Sequence, residues 1–210
     1  MELHHPIHFD HFDDEVLSNI TGHVLPRGNW TIVAGNAAEA LLRESELYLE
    51  AASTTTLYMR TDIMESDDLR LEAQGVVRGD YPTMDLLLRW DGVVAGSVGY
   101  LLHRFIPSTG GVAAMYAHGG ILGYTNSYAT MTWNVGDEFL MEMIAIQRDI
   151  TYRVTNLTSH YTATAAYRIP DAHAGFEHYA GLGFVVAAQE VNHDNAWDWI
   201  KVFPAGEPTP

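Results

Sequence analysis

The sequence predicts an all-β protein in which two antiparallel sheets form a sandwich and the first and last strands lie side by side. Short segments with a period of two recur along the chain, and residues 69–74 (LRLEAQ) alternate apolar and polar side chains strictly. Helical periodicity of useful length is absent. The apolar segments 182–188 and 197–203 near the end are similar in character to residues 8–14. We therefore expect the two ends of the chain to close the sandwich.

Turn-forming residues separate the predicted strands. Up to the Pro-Gly break at 107–111, the predicted strands are residues 7–12, 30–34, 46–52, 54–61, 69–74, 84–90 and 97–106. Three shorter strands follow at 112–118, 120–126 and 128–133. Residues 138–147 and 150–156, joined by Arg148 and Asp149, form a predicted hairpin. The final predicted strands are residues 161–168, 182–188 and 197–203.

Length and composition favour one folded domain. The chain has 210 residues, 47% of them hydrophobic, which is enough to bury a substantial core. We expect this domain over residues 1–203, followed by a Pro-rich tail at 204–210 (PAGEPTP). Cysteine is absent, which excludes disulfides and thiolate metal sites.

The charge limits the classes of partner. With 27 acidic and 11 basic residues, the formal net charge is −16, which argues against nucleic acid or an anionic membrane as partner. Such a surface suits divalent cations and neutral polymers, or serves solubility alone. The N-terminus lacks a basic region followed by an apolar run, and no apolar stretch reaches about 18 residues. We therefore expect neither a signal peptide nor a transmembrane segment.

Several loose motifs follow one another along nearly the whole chain. They are FDHFD at 9–13, GNWTIV at 28–33, LLRW at 87–90, GYLL at 99–102, GDEFL at 136–140, GLGF at 181–184 and WDWIKV at 197–202. In this order they resemble the concanavalin A-like lectin/glucanase superfamily, especially its laminin-G-like jelly rolls. The resemblance implies a two-sheet jelly roll, and it supports the fold more than any activity.

The resemblance also implies a metal site. Many members of the superfamily bind a structural calcium ion between the first and the last strand, and the matching carboxylates here are Asp10 or Asp13 with Asp198. Calcium prefers such oxygen ligands. The family's frequent Asp-Asn pair is Asp198-Trp199 in this chain, which removes one possible ligand. The alternative for Asp10 and Asp13 is a solvated acidic loop.

The glycoside hydrolases of this superfamily use a Glu-x-Asp-x-x-Glu strand. The nearest stretch is 138–143 (EFLMEM), where Leu140 and Met143 replace two of the carboxylates. Glu138 and Glu142 on one strand face would stand about 13 Å apart. Retaining hydrolysis needs about 5–5.5 Å and inverting hydrolysis at most about 9.5 Å, so this pair does not suffice.

Polysaccharide lyases of the same fold use Arg, His, Tyr and an amide on a concave face. Their characteristic motifs are missing, but side chains of the right types give candidate ligand-binding residues: Arg89, Trp90, Tyr100, His103, Arg104 and Tyr124. Strand alternation puts His103 on the face opposite to Tyr100 and Arg104. The alternatives are core packing for the aromatic residues and a hydrogen-bonded histidine for His103.

The strand at 138–147 also predicts an interface. If Phe139 and the alternate residues after it face the core, then Leu140, Ile144 and Ile146 share the other face with Glu142. This face is too apolar for a strand in water. Either a sheet or loop of the same chain covers it, or a neighbouring subunit does.

Three functions stay open at this stage. The first is a non-catalytic lectin-like module that binds glycan or a protein surface, displayed on a larger assembly such as a phage virion or tail. The second is a carbohydrate-active enzyme, a lyase in preference to a hydrolase. The third is a purely structural capsid or tail protein. The missing address signals fit a virion surface or the cytoplasm.

Overall fold

The fold is described from a computed structural model over residues 6, 8–13, 20, 23, 30–34, 40–51, 56–62, 68–79, 84–90, 99–106, 111–118, 121–170, 181–187 and 193–205. All regular structure within these residues is strand. The strands are β1 His8–Asp10, β2 Thr31–Ala34, β3 Ala40–Arg43, β4 Glu46–Ala51, β5 Thr56–Asp62, β6 Leu69–Val77, β7 Met84–Trp90, β8 Gly99–Ile106, β9 Gly111–His118, β10 Ile121–Thr130, β11 Glu138–Ile146, β12 Asp149–Asn156, β13 Tyr161–Arg168, β14 Gly181–Ala187 and β15 His193–Pro204.

The strands form two antiparallel sheets, as the sequence predicted. One sheet has eight strands in the order β13-β12-β11-β6-β15-β4-β3, with β1 also paired to β15. The other has seven in the order β10-β9-β8-β7-β14-β5-β2. The long strand β15 pairs with β4 through its first residues and with β1 through its later ones, where Asp10 lies opposite Ile200. The predicted adjacency of the first and last strands is confirmed.

The core follows from the period of two. Alternate residues of β6 and β11 are buried, including Leu71, Phe139 and Met141, and they face Leu86 and Leu88 of the seven-stranded sheet. Fully burying one such side chain stabilises the fold by about 1.5–3 kcal/mol. The predicted inward face of β11 is therefore confirmed.

Trp197 is fully buried and lies opposite Gly75 in the register of β15 and β6. A Cβ atom on Gly75 would come within 2.6 Å of the Ala196 carbonyl oxygen and 3.0 Å of Cε3 of Trp197. Met84 Cε would also lie 2.6 Å away, so the Ala196 carbonyl, the Met84 methyl group and the Trp197 ring together occupy the space that a larger residue at position 75 would need.

The strands differ from the prediction in three main respects, besides shifts of a few residues at other ends. The segments 120–126 and 128–133 were expected as two strands, but they form the single strand β10, in which two register shifts interrupt the alternation. β3 was not predicted, since the turn after it has Glu44 and Ser45 at positive φ instead of the usual Asn or Gly. β15 runs through Pro204 into the predicted tail, and Ala205 N donates to Asp68 O at 2.8 Å. Residues 206–210 lie outside the described residues.

Among the described residues, no helix is long and apolar enough to cross a membrane.

Candidate functional site

Arg89, a predicted ligand-binding residue, lies in the interior of the sandwich. Its side chain is fully buried and its backbone has a φ of 53°. The guanidinium Nη2 donates to the carbonyl of Ala145 at 3.4 Å, and Nη1 donates to the carbonyl of Gln147. Asp68 Oδ1 lies 3.8 Å from Nη2 and also accepts the Gln147 amide at 2.6 Å. Arg89 thus ties the seven-stranded sheet to the β11–β12 turn of the other sheet.

His103 also lies inside the sandwich. It is fully buried, its strand position pairs with the core residue Leu86, and its ring centroid is 5.4 Å from that of Tyr152. Burial lowers the pKa of His103 to about 3, against the opposing effect of a hydrogen bond to the backbone of Glu142. The ring is therefore neutral at physiological pH and acts as a hydrogen-bonded core histidine.

The other four predicted ligand-binding residues are placed only by their strand register. Their register partners are Gly181 for Trp90, Ala117 for Tyr100, Asp85 and Ala113 for Arg104, and Tyr116 for Tyr124. Asp85 is fully buried, so Arg104 shares its register position with an interior carboxyl group. The side chains of the four residues lie outside the described part of the chain. Their role in ligand binding stays a prediction.

Asp10 organises the N-terminal segment. Its carboxylate is 4% exposed and accepts the Phe12 amide at 2.8 Å and the Trp30 indole N–H at 2.6 Å. His23 Nε2 lies 3.0 Å from the same carboxylate. The Phe12 ring packs beside both aromatic partners, with centroids 6.1 Å from Trp30 and 6.5 Å from His23. Asp10 therefore joins three separate points of the chain in one buried cluster.

Asp198 has a different environment. Gln74 Nε2 donates to Asp198 Oδ2 at 3.1 Å and to Glu138 Oε2 at 3.3 Å. Burial raises the pKa of Asp198 to about 6, helped by a hydrogen bond to Glu46 and by the charge of Glu46. Arg78 Nη2 contacts both oxygens of Glu46, at 2.5 and 2.7 Å. We call Glu46, Gln74, Glu138 and Asp198 the carboxyl cluster.

The three predicted calcium ligands occupy different places. Asp10 pairs with the core residue Ile200, whereas Asp198 contacts the outward-facing Gln74, so their carboxyl groups lie on opposite faces of the sheet. Asp13 is exposed. Within the described ranges, no group of three or more His, Cys, Asp or Glu side chains is arranged to hold a metal ion. Calcium binding by these aspartates stays a prediction.

The eight-stranded sheet carries an organised row of charges on the side that faces away from the other sheet, which we call the outer face. Arg153, Glu142, Glu72 and Lys201 lie directly opposite one another on β12, β11, β6 and β15. With Arg70 they form what we call the ladder. It is held together by electrostatic contacts between neighbouring strands.

The carboxylates of the ladder lie deeper than the Arg153 guanidinium. Glu142 accepts from Arg70 Nη2 at 3.1 Å and from Arg153 Nη1 at 3.3 Å, and its side chain is only 5% exposed. Glu72 also pairs with Arg70 and is 14% exposed. The Arg153 side chain, by contrast, is 41% exposed. Burial raises the pKa of Glu72, opposed by the charge of Arg70 and reinforced by that of Glu142.

Aromatic rings border the ladder at Lys201. The Lys201 ammonium lies 4.1 Å from the ring centroid of Trp199 and 5.4 Å from that of Phe9, which are cation–π distances. The Phe9 ring in turn meets His11 edge-on at 4.1 Å. Trp199, Lys201 and Phe9 thus place two rings and a cation beside one another on the outer face.

The three predicted interface residues lie on the same face. Leu140 and Ile144 are half-buried and Ile146 is 41% exposed. Ile144 lies opposite Arg70 in register, so the apolar residues adjoin the ladder. Their role as an interface stays a prediction.

Sequence reasoning missed the ladder. The alternation of β6 and β11 already indicated that Arg70, Glu72 and Glu142 point outward. The pairing of β11 with β6, however, joins residues 72 positions apart, and no pattern within one strand indicates that partner.

No protein-family model matches the chain, and no curated protein does. Solved structures do match. The chain is 13% identical to a structure from work on endo-acting O-glycanases that members of the human gut microbiota express to initiate mucin breakdown, with a TM-score of 0.66 over 95% of this chain and 99% of that one. It is 8% identical to the CBM2 module of the evolved Dit of Lactobacillus casei BL23 phage J-1, with a TM-score of 0.54 over 98% and 97% of the two chains.

A third match is lectin II from Ulex europaeus, 12% identical, with a TM-score of 0.50 over 85% of this chain and 94% of that one. Identities this low show the fold alone. The two antiparallel sheets, the adjacent terminal strands and these likenesses agree with one another. The chain has the concanavalin A-like jelly-roll fold that its motifs predicted.

Proposed function

We propose that this chain is a non-catalytic, lectin-like module that binds glycan through the outer face of its eight-stranded sheet. The observation that carries the proposal is the group Trp199, Lys201 and Phe9 beside the ladder. An aromatic ring offers an apolar platform to the C–H face of a sugar, and charged groups form strong hydrogen bonds with hydroxyls. The likeness to lectin and carbohydrate-binding folds supports this choice of ligand.

The ladder favours binding over catalysis. Both oxygens of Glu142 accept hydrogen bonds from arginines, which hold the carboxylate in a fixed position. We further propose that the module is displayed on a larger assembly such as a phage virion or tail. The likeness to a phage Dit module supports this setting.

The test is a glycan array followed by titration of a bound glycan. We expect Trp199→Ala to weaken binding at least tenfold, because it removes both the ring offered to the sugar and the support of Lys201. Tyr161→Ala is the matched control, since Tyr161 is 50% exposed on the edge strand β13 and lies outside the ladder. Binding that Trp199→Ala leaves unchanged, or no retention of any glycan, would contradict the proposal.

A second candidate is a carbohydrate-active enzyme, and one observation favours it. Glu72 and Glu142 both accept from Nη2 of Arg70, so their carboxyl groups lie within about 6 Å of each other. Retaining glycosidases separate their two carboxylates by about 5–5.5 Å. The raised pKa of Glu72 would suit the acid of such a pair.

Product analysis separates the two functions. Release of new reducing ends that disappears in Glu72→Gln would establish hydrolysis and overturn the non-catalytic proposal. Unsaturated uronate, which absorbs ultraviolet light, would establish a lyase instead. Binding without either product supports the lectin-like module.

A further inference from the structure

We infer that the glycan bound by the outer face is anionic, and that Lys201 and Arg153 contact its carboxylate or sulfate groups. The inference rests on the proposed glycan-binding function and specifies its ligand class. Its starting point is the composition of the ladder, which has three cations and two carboxylates. The excess of positive charge is confined to this row, because Glu138 and Asp198 of the carboxyl cluster adjoin it through Gln74.

The charged side chains of the ladder differ in how far they are exposed to solvent. Glu142 and Glu72 lie low in the face, with side chains 5% and 14% exposed, whereas the Arg153 side chain is 41% exposed. A ligand approaching from solvent therefore meets the Arg153 guanidinium before the carboxylates. Positive charge over a partly desolvated surface attracts an anion more strongly than it would in open water.

Lys201 is held in place by two aromatic rings. Its ammonium lies between the rings of Trp199 and Phe9, which limits the conformations of an otherwise flexible side chain. A cation held in place loses less entropy when it binds. A sugar on this aromatic group would bring a ring substituent to the ammonium, and a carboxylate or sulfate is the substituent that best complements it.

The experiment compares matched charged and neutral polysaccharides. The probes are polygalacturonate and its fully methyl-esterified form, which differ only in the carboxylates, and dextran sulfate and dextran, which differ only in the sulfates. We expect each charged polymer to bind at least tenfold more tightly than its neutral counterpart, and we expect the preference to shrink from 50 to 500 mM salt. The first pair reports carboxylate recognition and the second sulfate recognition.

Lys201→Met keeps an apolar side chain between the rings and removes the charge. We expect it to lower affinity for the charged polymers at least tenfold and affinity for neutral ones less than twofold. Arg168→Met is the control, since it makes the same change of charge at a residue of β13 that pairs with Asp149 outside the ladder. Its affinities should equal those of the wild type.

The outcomes separate the anionic ligand from glycan binding in general. Equal or tighter binding of the neutral polymers, with no effect of Lys201→Met, overturns the anionic ligand and leaves glycan binding intact. Equal losses in Lys201→Met and Arg168→Met show a general charge effect and also overturn it. Absence of binding to these probes and to a glycan array overturns the glycan-binding function itself.

Discussion

Two aspartates, Asp10 and Asp198, have different environments in this fold. Asp10 and Asp198 both lie next to aromatic residues on paired strands. In the interior, the Asp10 carboxylate contacts the Phe12 amide, the His23 ring and the Trp30 indole N–H. Asp198, by contrast, lies among other carboxyl groups. The neighbours in space therefore decide which groups each carboxyl group contacts, and for Asp198 they raise the pKa.

The buried contacts of Asp10 predict that replacing this one side chain lowers the free energy of unfolding substantially. Asp10→Asn should lower the free energy of unfolding by about 1.5–3 kcal/mol, because the amide replaces one acceptor oxygen by a donor that faces N–H groups. Asp13→Asn, at an exposed position, should change it by less than about 0.5 kcal/mol. Urea unfolding measures both values, and equal costs would show that the buried contacts of Asp10 are not important.

Calcium binding has its own test at this scale. Because Asp10 and Asp198 lie on opposite faces of the sheet, the pair to test is Asp13 with Asp198. An ion held by this pair would stabilise the folded state, so the Tm in millimolar calcium should exceed that in chelator. Asp198→Asn should abolish the increase. A Tm that is the same in both solutions contradicts the calcium prediction.

At the scale of elements, the packing of paired strands limits the size of the side chain that fits at a core position. Gly75 of β6 lies against Trp197 of β15, and an added Cβ would meet the Ala196 carbonyl oxygen at 2.6 Å. We expect Gly75→Ala to cost about 1–3 kcal/mol of unfolding free energy through overpacking. Gly136→Ala is a contrasting control, since no atom lies within 4 Å and only its φ of 94° is unfavourable. A smaller cost at position 75 than at 136 would contradict the packing argument.

The carboxyl cluster joins β4, β6, β11 and β15 and predicts a dependence of stability on pH. The pKa of Asp198 is raised from 3.8 to about 6, so between these values the folded protein holds this proton more tightly than the unfolded chain. The free energy of unfolding therefore falls as pH rises through this window. The full shift corresponds to about 3 kcal/mol, and partial exposure reduces it to about 1 kcal/mol.

Asp198→Asn should remove that part of the pH dependence. Denaturant unfolding between pH 4 and pH 7 measures it as a wild-type loss that the variant lacks. Asp149→Asn serves as control, because Asp149 is exposed and pairs with Arg168 away from the cluster. Parallel curves for wild type and Asp198→Asn would show that the cluster does not bind the proton as argued.

At the scale of the whole molecule, the outer face combines the ladder with the apolar residues Leu140, Ile144 and Ile146. If these residues form a subunit interface, sedimentation equilibrium should show association at high protein concentration. Added salt should strengthen it, because salt screens the repulsion between chains of charge −16. Ile146→Asp should abolish the association.

Val135→Asp provides the matched control, since Val135 is 53% exposed in the turn before β11. Loss of association in Ile146→Asp alone supports the interface. A wild-type monomer at high concentration contradicts it.

Two strands could be predicted to the residue because their signals are local. β7 at 84–90 and β13 at 161–168 have the predicted bounds, and β11 and β12 form the predicted hairpin. The merging of two predicted strands into β10 depends on register shifts against β9, which no local pattern specifies. Likewise, the sequence identifies Arg89 and His103 only as polar residues on strands, which makes them candidate ligand contacts. In the structure both side chains are buried in the interior.

The sequence by itself determined the all-β class, the inward face of β11 and the adjacency of the chain ends, because side-chain alternation and apolar content act within each strand. Only the tertiary structure decided which charged side chains meet. Arg70, Glu142 and Lys201 come from strands far apart in the chain, and their alignment depends on the register between β6, β11 and β15. That register results from packing the whole core, so the ladder and the proposed ligand class emerge only from the folded molecule.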